Sequence, residues 1–425
     1  MPSDESTELT PDDARILGLE SDAIMGHTLK LVVFEPGAGP LDIDALRTRV
    51  DDRLPSQPRA RQRVDTSGDR PRWVDATDFD IRDHVRRYPS DCATRDDLWA
   101  AVSTLMSHHL DHERPLWTLD VIGPLDDGRE AIAARIHHAM ADGIAGVRLL
   151  HDVLWDPQPE APSTAGAPGV KTEQREARLT ELEHMPAALR RELGHLGSAS
   201  PLDRPITGSR ELAFSVATLA EMKAIGAALP QPATVNDVLL AIIAGGLREW
   251  LGTTPHLRAQ IPVSLHHRDE STGGAGNRDS FINVDLPLDH DDPMKRLDLI
   301  RAQTSVRKQR DDAQELYDLL HALGRMPRIG EAVQRLADSS REFSLSISNV
   351  PGPAAAIAVD GRRVENLFSS SEPGAHHALR ISAISCAGTV GIGLCADPTA
   401  LPGMGALAKA IDGSVSELRD AALGG

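Results

Sequence analysis

The stretch Ala131-Ile132-Ala133-Ala134-Arg135-Ile136-His137-His138-Ala139-Met140-Ala141-Asp142-Gly143 changes character midway. Its first part is a short apolar run, the pattern of a buried strand, and it ends on two adjacent histidines. From Gly143 onward the apolar residues Ile144, Val147, Leu150 and Leu154 stand at helical spacing. The histidines therefore sit where a strand turns into a helix through small residues, a place that can present a side chain rigidly to a cleft. Histidine is the side chain best suited to act as a general base near neutral pH. The same residues allow a plainer reading, in which Asp142 caps the helix and the histidines pack.

Working outward, 29–34 is a β-branched apolar run that reads as a strand. Apolar residues at helical spacing mark helices over 42–54 and 96–110. Residues 156–169 are rich in Pro, Ala, Ser and Gly and read as a linker, followed by a charged helix over 173–196 and a loop over 197–209. The second half opens with a strand over 212–219 and a strongly apolar helix over 235–251. Strands are expected over 259–264 and 281–286 around a glycine-rich loop, 273–277. Helices follow over 292–310 and 311–323. Strands over 343–348 and 381–394 complete the pattern, the latter broken by Gly388, Gly391 and Gly393. Helices and strands alternate in both halves and no fixed-period repeat is visible, so the class is α/β or α+β with two lobes. The expected division is an N-terminal lobe, 1–155, a linker with a charged helix, 156–209, and a C-terminal lobe, 210–425.

A chain of 425 residues has room for two or three domains, or two lobes sharing a large core. Aromatic residues make up only 3%, so that core must be built from Leu, Val, Ile and Ala. The formal net charge of −18 repels phosphate backbones and argues against nucleic acid and against electrostatic docking on anionic membranes. Any lipid contact would be weak and peripheral, through an apolar patch. The start shows no basic and apolar leader, and the longest apolar run, 238–247, is too short to span a bilayer and is followed by Arg248 and Glu249. Cys92, Cys386 and Cys395 are too few and scattered for a disulfide framework or a zinc site, which makes the cytoplasm the default compartment.

Four His-His pairs occur, at 108–109, 137–138, 266–267 and 376–377. His108 and His112 stand at a spacing that can hold a metal, but no further ligand lies nearby in a known pattern and a solvated helix end is the better reading, so no metal is assigned. The 266 and 376 pairs fall in polar turns or at strand ends. Thr234-x-x-Asp237 before an apolar run is a helix-capping arrangement, which gives Asn236 and Asp237 a structural explanation. Pro115-Leu116-Trp117 reads equally well as packing between a helix and a strand. The run 388–393 lacks the lysine and context of a phosphate loop, and no G-x-S-x-G elbow appears.

The run from His137 to Gly143 matches H-H-x-x-x-D-G, the signature of the CoA-dependent acyltransferase superfamily, shared with condensation domains of peptide synthetases. The remaining motifs resemble one branch, the bacterial wax ester synthase/diacylglycerol acyltransferase family. They occur in family order: Leu9-Thr10-Pro11-Asp12-Asp13-Ala14, Pro115-Leu116-Trp117, Asn236-Asp237, Pro262-Val263-Ser264, Gly276-Asn277-Arg278, and Ser348-Asn349-Val350-Pro351-Gly352-Pro353. The resemblance implies a two-lobed CoA-dependent acyltransferase-like fold. Each lobe would be a mixed sheet covered by helices, with an active-site tunnel between them. It also implies acyl transfer from acyl-CoA, as co-substrate and without a bound cofactor, to a hydroxyl of diacylglycerol or a long-chain alcohol. His138 would be the general base, His137 would set its position and tautomer, and Asp142 would hold the loop through a salt bridge. Gly143 would allow the turn, and Asn277 is a candidate oxyanion donor.

Three stretches depart from the family pattern. Ile24-Met25-Gly26-His27 replaces a Pro-Met-His element, Ser385-Cys386-Ala387-Gly388 replaces Ser-Tyr-x-Gly, and a Gly-Pro is missing around 369–374. These positions are expected on the acceptor side, which leaves room for a small or specialised acceptor. A condensation-type enzyme using a carrier-protein donor and a non-catalytic lipid- or CoA-binding protein are the competing readings.

Overall fold

A computed structural model describes residues 6–141, 143–157, 200–264, 279–310 and 343–424. The linker helix expected over 173–196, the glycine-rich loop, the helix over 311–323, His266, His267, Asp142 and Asn277 lie outside these residues.

In chain order the first half runs β1 (Thr7–Glu8), α1 (Pro11–Leu17), β2 (His27–Phe34), α2 (Ile43–Arg53), β3 (Gln62–Asp65) and β4 (Arg72–Asp75). It continues with α3 (Ile81–His84), β5 (Val85–Arg87), α4 (Arg95–Met106), β6 (Trp117–Ile122), β7 (Ala131–His137) and α5 (Gly143–Val153). The second half comprises β8 (Glu211–Thr218), α6 (Leu219–Ala227), α7 (Val235–Leu251), β9 (Leu257–Ser264), β10 (Asp279–Leu286) and α8 (Pro293–Arg310). It ends with β11 (Leu345–Val350), β12 (Ala358–Val359), β13 (Arg362–Ser371), β14 (Leu379–Cys386), β15 (Thr389–Ala396) and α9 (Met404–Leu423).

Two six-stranded sheets dominate. The first has the order β12-β13-β2-β7-β6-β5 and the second β10-β9-β11-β14-β15-β8; a small sheet, β1-β4-β3, stands apart. Most pairings are antiparallel, but β5 runs parallel to β6 and β11 runs parallel to both β9 and β14, so both sheets are mixed. Sequence order and sheet membership part company at β12 and β13. These strands lie late in the chain, yet β13 pairs along β2, with Ser369 opposite Lys30 and Ser371 opposite Thr28.

Local chemistry explains the main elements. Thr94 and Asp97 form a reciprocal capping box at the start of α4, and Asp42 caps α2. Helix α7 is buried along nearly its whole length between the second sheet and its neighbouring helices. A Cβ on Gly245 or Gly246 would strike Ser414 or Ile411 of α9, so the two small residues set how closely these helices pass. One group of aromatics links the layers. Phe214 of the second sheet packs at a tilt against Trp99 of α4 and Phe368 of the first sheet, at centroid distances of 4.6 and 4.8 Å.

The region 381–394 is a hairpin rather than a strand broken three times. Only Ala387 and Gly388 interrupt it, with φ of 46° and 92°, forming a two-residue turn that requires positive φ at both positions. Gly391 and Gly393 lie inside β15, and a Cβ on either would run into the carbonyl oxygen of Leu367 or Ser369 on β13. Those glycines are where the two sheets touch.

Candidate active site

Strand β7 lies beside β2 with His137 directly opposite His27. The chain then turns back on itself: Met140 and Ala141 donate to the His137 carbonyl at 2.9 and 3.1 Å, and His138 N–H donates to Gly26 O at 2.8 Å. Helix α5 begins at Gly143. His137 is the last residue of the strand and His138 the first of the turn, so the two side chains meet different surroundings.

His137 is buried and fully engaged. Its Nδ1 accepts from Ala139 N–H at 3.0 Å, which leaves Nε2 as the protonated nitrogen that donates to Glu20 Oε1 at 2.7 Å. Glu20 also accepts from His112 Nε2 at 2.8 Å. Burial works against the charged form of Glu20, but the hydrogen bonds from His112 and His137 outweigh it and hold its pKa at about 2. The same bond raises the pKa of His112. Gly26, with φ of 77°, lies directly against this pair; a Cβ there would collide with His137 Nε2 and the Glu20 side chain. His112 thus meets Glu20, while His108 hydrogen-bonds the Thr104 carbonyl.

His138 is in the opposite situation. Among the described residues its half-buried ring has no hydrogen-bond partner. Burial pushes its pKa down to about 3, helped by the positive charges of Arg380 and Lys30, so the ring is neutral at physiological pH. Lys30 is buried on β2 and donates to Ser369 Oγ at 2.8 Å. Arg380 lies on β14 in the second sheet, so the ring faces the junction between the sheets.

Three of the sequence motifs converge here. The space above Gly143 is faced by Val350 Cγ2, 3.4 Å from where a Cβ would stand. Asn349, next to Val350, reaches Asn236 Oδ1 at the start of α7 at 3.5 Å. Asp237 has a different task. Its carboxylate accepts from Thr234 N–H at 2.8 Å and from the hydroxyls of Thr234 and Thr304 at 2.7 Å, so it caps α7 and ties it to α8. Trp117 is likewise structural in its contacts: its indole donates to Ala60 O at 2.8 Å and its ring stacks on His84.

The departures from the family pattern also collect around this junction. Ser369 holds Lys30, and Ser385 Oγ accepts from Gly352 N–H at 3.2 Å. The Glu372 carboxylate accepts from Met25 N–H at 2.8 Å, His27 N–H at 3.0 Å and Arg210 Nη2 at 3.1 Å. Sequence reading misses Glu20, Lys30, Glu372 and Arg380. No local pattern marks them, because their partners lie far away in the chain.

Two mixed sheets that meet beside a strand-end His-His pair fit the CoA-dependent acyltransferase class that the H-H-x-x-x-D-G motif resembles. The wax ester synthase/diacylglycerol acyltransferase catalytic domain matches residues 9–199 and the C-terminal domain of the same family matches 275–419. The chain belongs to that family of acyltransferases. A Mycobacterium tuberculosis protein named a probable diacylglycerol O-acyltransferase is 29% identical over 452 residues, 97% of this chain and 99% of that one. A Mycobacterium bovis protein, provisionally named a diacylglycerol O-acyltransferase, is 32% identical over 362 residues, 75% of this chain and 70% of the relative. The solved wax ester synthase/diacylglycerol acyltransferase of Marinobacter aquaeolei VT8 superposes with a TM-score of 0.72 at 25% identity, covering 97% of this chain and 98% of that one. A starter condensation domain of rhizomide synthetase, solved with C8-CoA, shares the fold, with a TM-score of 0.59 at 14% identity over 98% of this chain and 95% of that domain.

Proposed function

We propose that this enzyme transfers an acyl group from acyl-CoA to an acceptor hydroxyl, with His138 as the general base. One observation carries the assignment: of the two histidines at the end of β7, His137 has both ring nitrogens occupied, while His138 is neutral and without a hydrogen-bond partner among the described residues. An alcohol is a weak nucleophile until its proton leaves. The His138 imidazole takes that proton as the hydroxyl oxygen attacks the thioester carbonyl. The tetrahedral intermediate collapses with cleavage of the C–S bond, and the thiolate of CoA receives the proton from the imidazolium. The products are an ester and free CoA, and no acyl-enzyme is needed.

Glu20 and His137 support this role by fixing the strand end, and Gly143 against Val350 keeps the following turn close to the second sheet. Asp142 as loop anchor and Asn277 as oxyanion donor remain part of the proposal by resemblance. The family relationship points to diacylglycerol or a long-chain alcohol as acceptor, giving triacylglycerol or a wax ester. We place the lobes at 1–155 and 210–425, joined through 156–209, with β12 and β13 crossing into the first sheet. The reaction is assigned to the cytoplasm, where free buried thiols such as Cys92, Cys386 and Cys395 stay reduced. Among the described residues no helix is long and apolar enough to cross a membrane.

The test incubates acyl-CoAs of several lengths with a panel of hydroxyl compounds. Thiol release is followed and products are identified by mass. Ester formation that disappears in His138→Ala is the expected result; wild-type turnover in that variant would remove His138 from the base role.

A further inference from the structure

Arg380 differs from the buried arginines of this fold. Arg135, Arg210, Arg258 and Arg296 each donate at least one hydrogen bond to a carbonyl or carboxylate. The Arg380 guanidinium has none among the described residues, and its Nε is buried without a partner. A guanidinium keeps its charge and is costly to desolvate without an anion. The acidic group whose charge reaches it, Glu372, is already occupied by Arg210 and two backbone N–H groups.

The strand register shows where this cation points. Along β14, Leu379, Ile381 and Ala383 enter the core of the second sheet, so Arg380 and Ser382 project from the opposite face. On that face the partner strand β15 carries Cys395 opposite Arg380 and Gly393 opposite Ser382, and Gly393 abuts the Ser369 carbonyl of the first sheet. Ser369 in turn accepts from Lys30, and Ser348 Oγ donates to Ser382 Oγ at 3.2 Å. The junction facing His138 therefore contains a guanidinium, an ammonium and several hydroxyls. The ammonium and the Ser369, Ser348 and Ser382 hydroxyls are paired with one another, but a neutral alkyl alcohol would cover the Arg380 guanidinium without giving it an anion.

We propose that Arg380 receives an anionic group of the acceptor, so that hydroxyl compounds carrying an oxyanion, a carboxylate or a phosphate, are preferred over the neutral long-chain alcohol or diacylglycerol that family membership alone suggests. The inference rests on the acyl-transfer reading above. The planar fork of arginine matches such an oxyanion with two parallel hydrogen bonds. Its position on the face toward His138 puts the attached hydroxyl near the base. An anion bound there also cancels one of the charges that oppose protonation of His138, so the base strengthens when the acceptor arrives.

The experiment compares kcat/KM for three acceptors of matched carbon number with one acyl-CoA: a hydroxy acid, a phosphate-bearing alcohol and a neutral diol, with a long-chain alcohol and a diacylglycerol alongside. The wild-type enzyme is expected to favour one of the anionic acceptors by about tenfold or more, and Arg380→Gln to collapse that ratio by a similar factor. Arg380→Lys, which keeps the charge but not the fork, retains part of it. The more active anionic arm identifies carboxylate or phosphate as the natural group. Calorimetric titration with the matching carboxylate or phosphate compound lacking the hydroxyl reads the same site without turnover. Binding should be lost in Arg380→Gln. Preference of the wild type for the neutral acceptors overturns the inference and leaves the acyl-transfer reading standing; this result needs no folded variant. An anionic preference unchanged in a folded Arg380→Gln also overturns it. Arg380-dependent anion binding with no transfer to any hydroxyl would instead overturn the acyl-transfer reading.

Discussion

On one face of the end of β7, His137 is bound into a closed set of partners: Ala139 N–H, Glu20, and through Glu20 also His112. On the other face, His138 and Arg380 share a junction between sheets and neither side chain has a hydrogen-bond partner among the described residues. The trio of His137, Glu20 and His112 satisfies its polar groups internally, although the ring of His27 opposite His137 is buried without a hydrogen-bond partner among the described residues. The junction side leaves His138 and Arg380 without partners among the described residues, and the proposed base and anion contact both rest on that. Adjacent residues of one motif thus meet different surroundings where the strand gives way to a turn.

The largest effect that sharpens this contrast belongs to the open face. Replacing His138 with Ala should lower kcat by roughly 10²–10⁴-fold while the melting temperature stays near wild type. A comparable loss of stability in melting curves would mean that His138 serves the fold as His137 does.

The closed face should respond in the reverse sense. Gly26→Ala places a Cβ in contact with His137 Nε2 at a left-handed backbone position, and it should cost roughly 2–4 kcal/mol in denaturant unfolding. Unchanged stability would show that the Glu20 and His137 side chains can move apart freely.

Glu20→Gln removes the carboxylate that both histidines share. Its folded pKa of about 2 lies below the ordinary value of 4.5 for a free glutamate. The associated stability is therefore present above pH 4.5 and is lost as pH falls toward 2. It is on the order of 2 kcal/mol after allowance for solvent screening. In the variant this acid-side loss should flatten. The His112 resonance, raised in the wild type, should titrate at lower pH when followed by NMR.

The smallest effects belong to the start of α7, a third motif region whose carboxylate is fully used by the fold. Asp237→Ala loses a capping box and the tie to Thr304, a cost of about 1–2 kcal/mol with little change in turnover per folded molecule. Asn236→Ala touches only the exposed contact with Asn349 and should change stability by no more than about 0.5 kcal/mol. A large loss of turnover in Asn236→Ala would give that residue a place among the substrate contacts.

Much of the architecture is legible from periodicity. The strand over 29–34, the strand before His137 and the apolar helix from Val235 appear as read, because each has its own pattern of burial. The strands β6 and β13 and the helices α6 and α9 are not read. For β13 the reason is physical: its polar side chains, such as Ser369 and Glu372 just beyond its end, are satisfied by Lys30, Arg210 and backbone groups of the first half, so the run lacks a strand-like apolar signature. Gly391 and Gly393 look like strand breakers by composition, yet they are what lets β15 lie against β13.

By itself the sequence determined the two-lobed mixed class, the family, and the histidine pair from which the chemistry is argued. Those features rest on local periodicity and on motifs contiguous in the chain. Only the tertiary structure decided that His137 is held by Glu20 and that His138 shares its junction with Lys30 and Arg380. Charge pairing and desolvation depend on distance in space, and here the groups that set them come from strands at opposite ends of the chain.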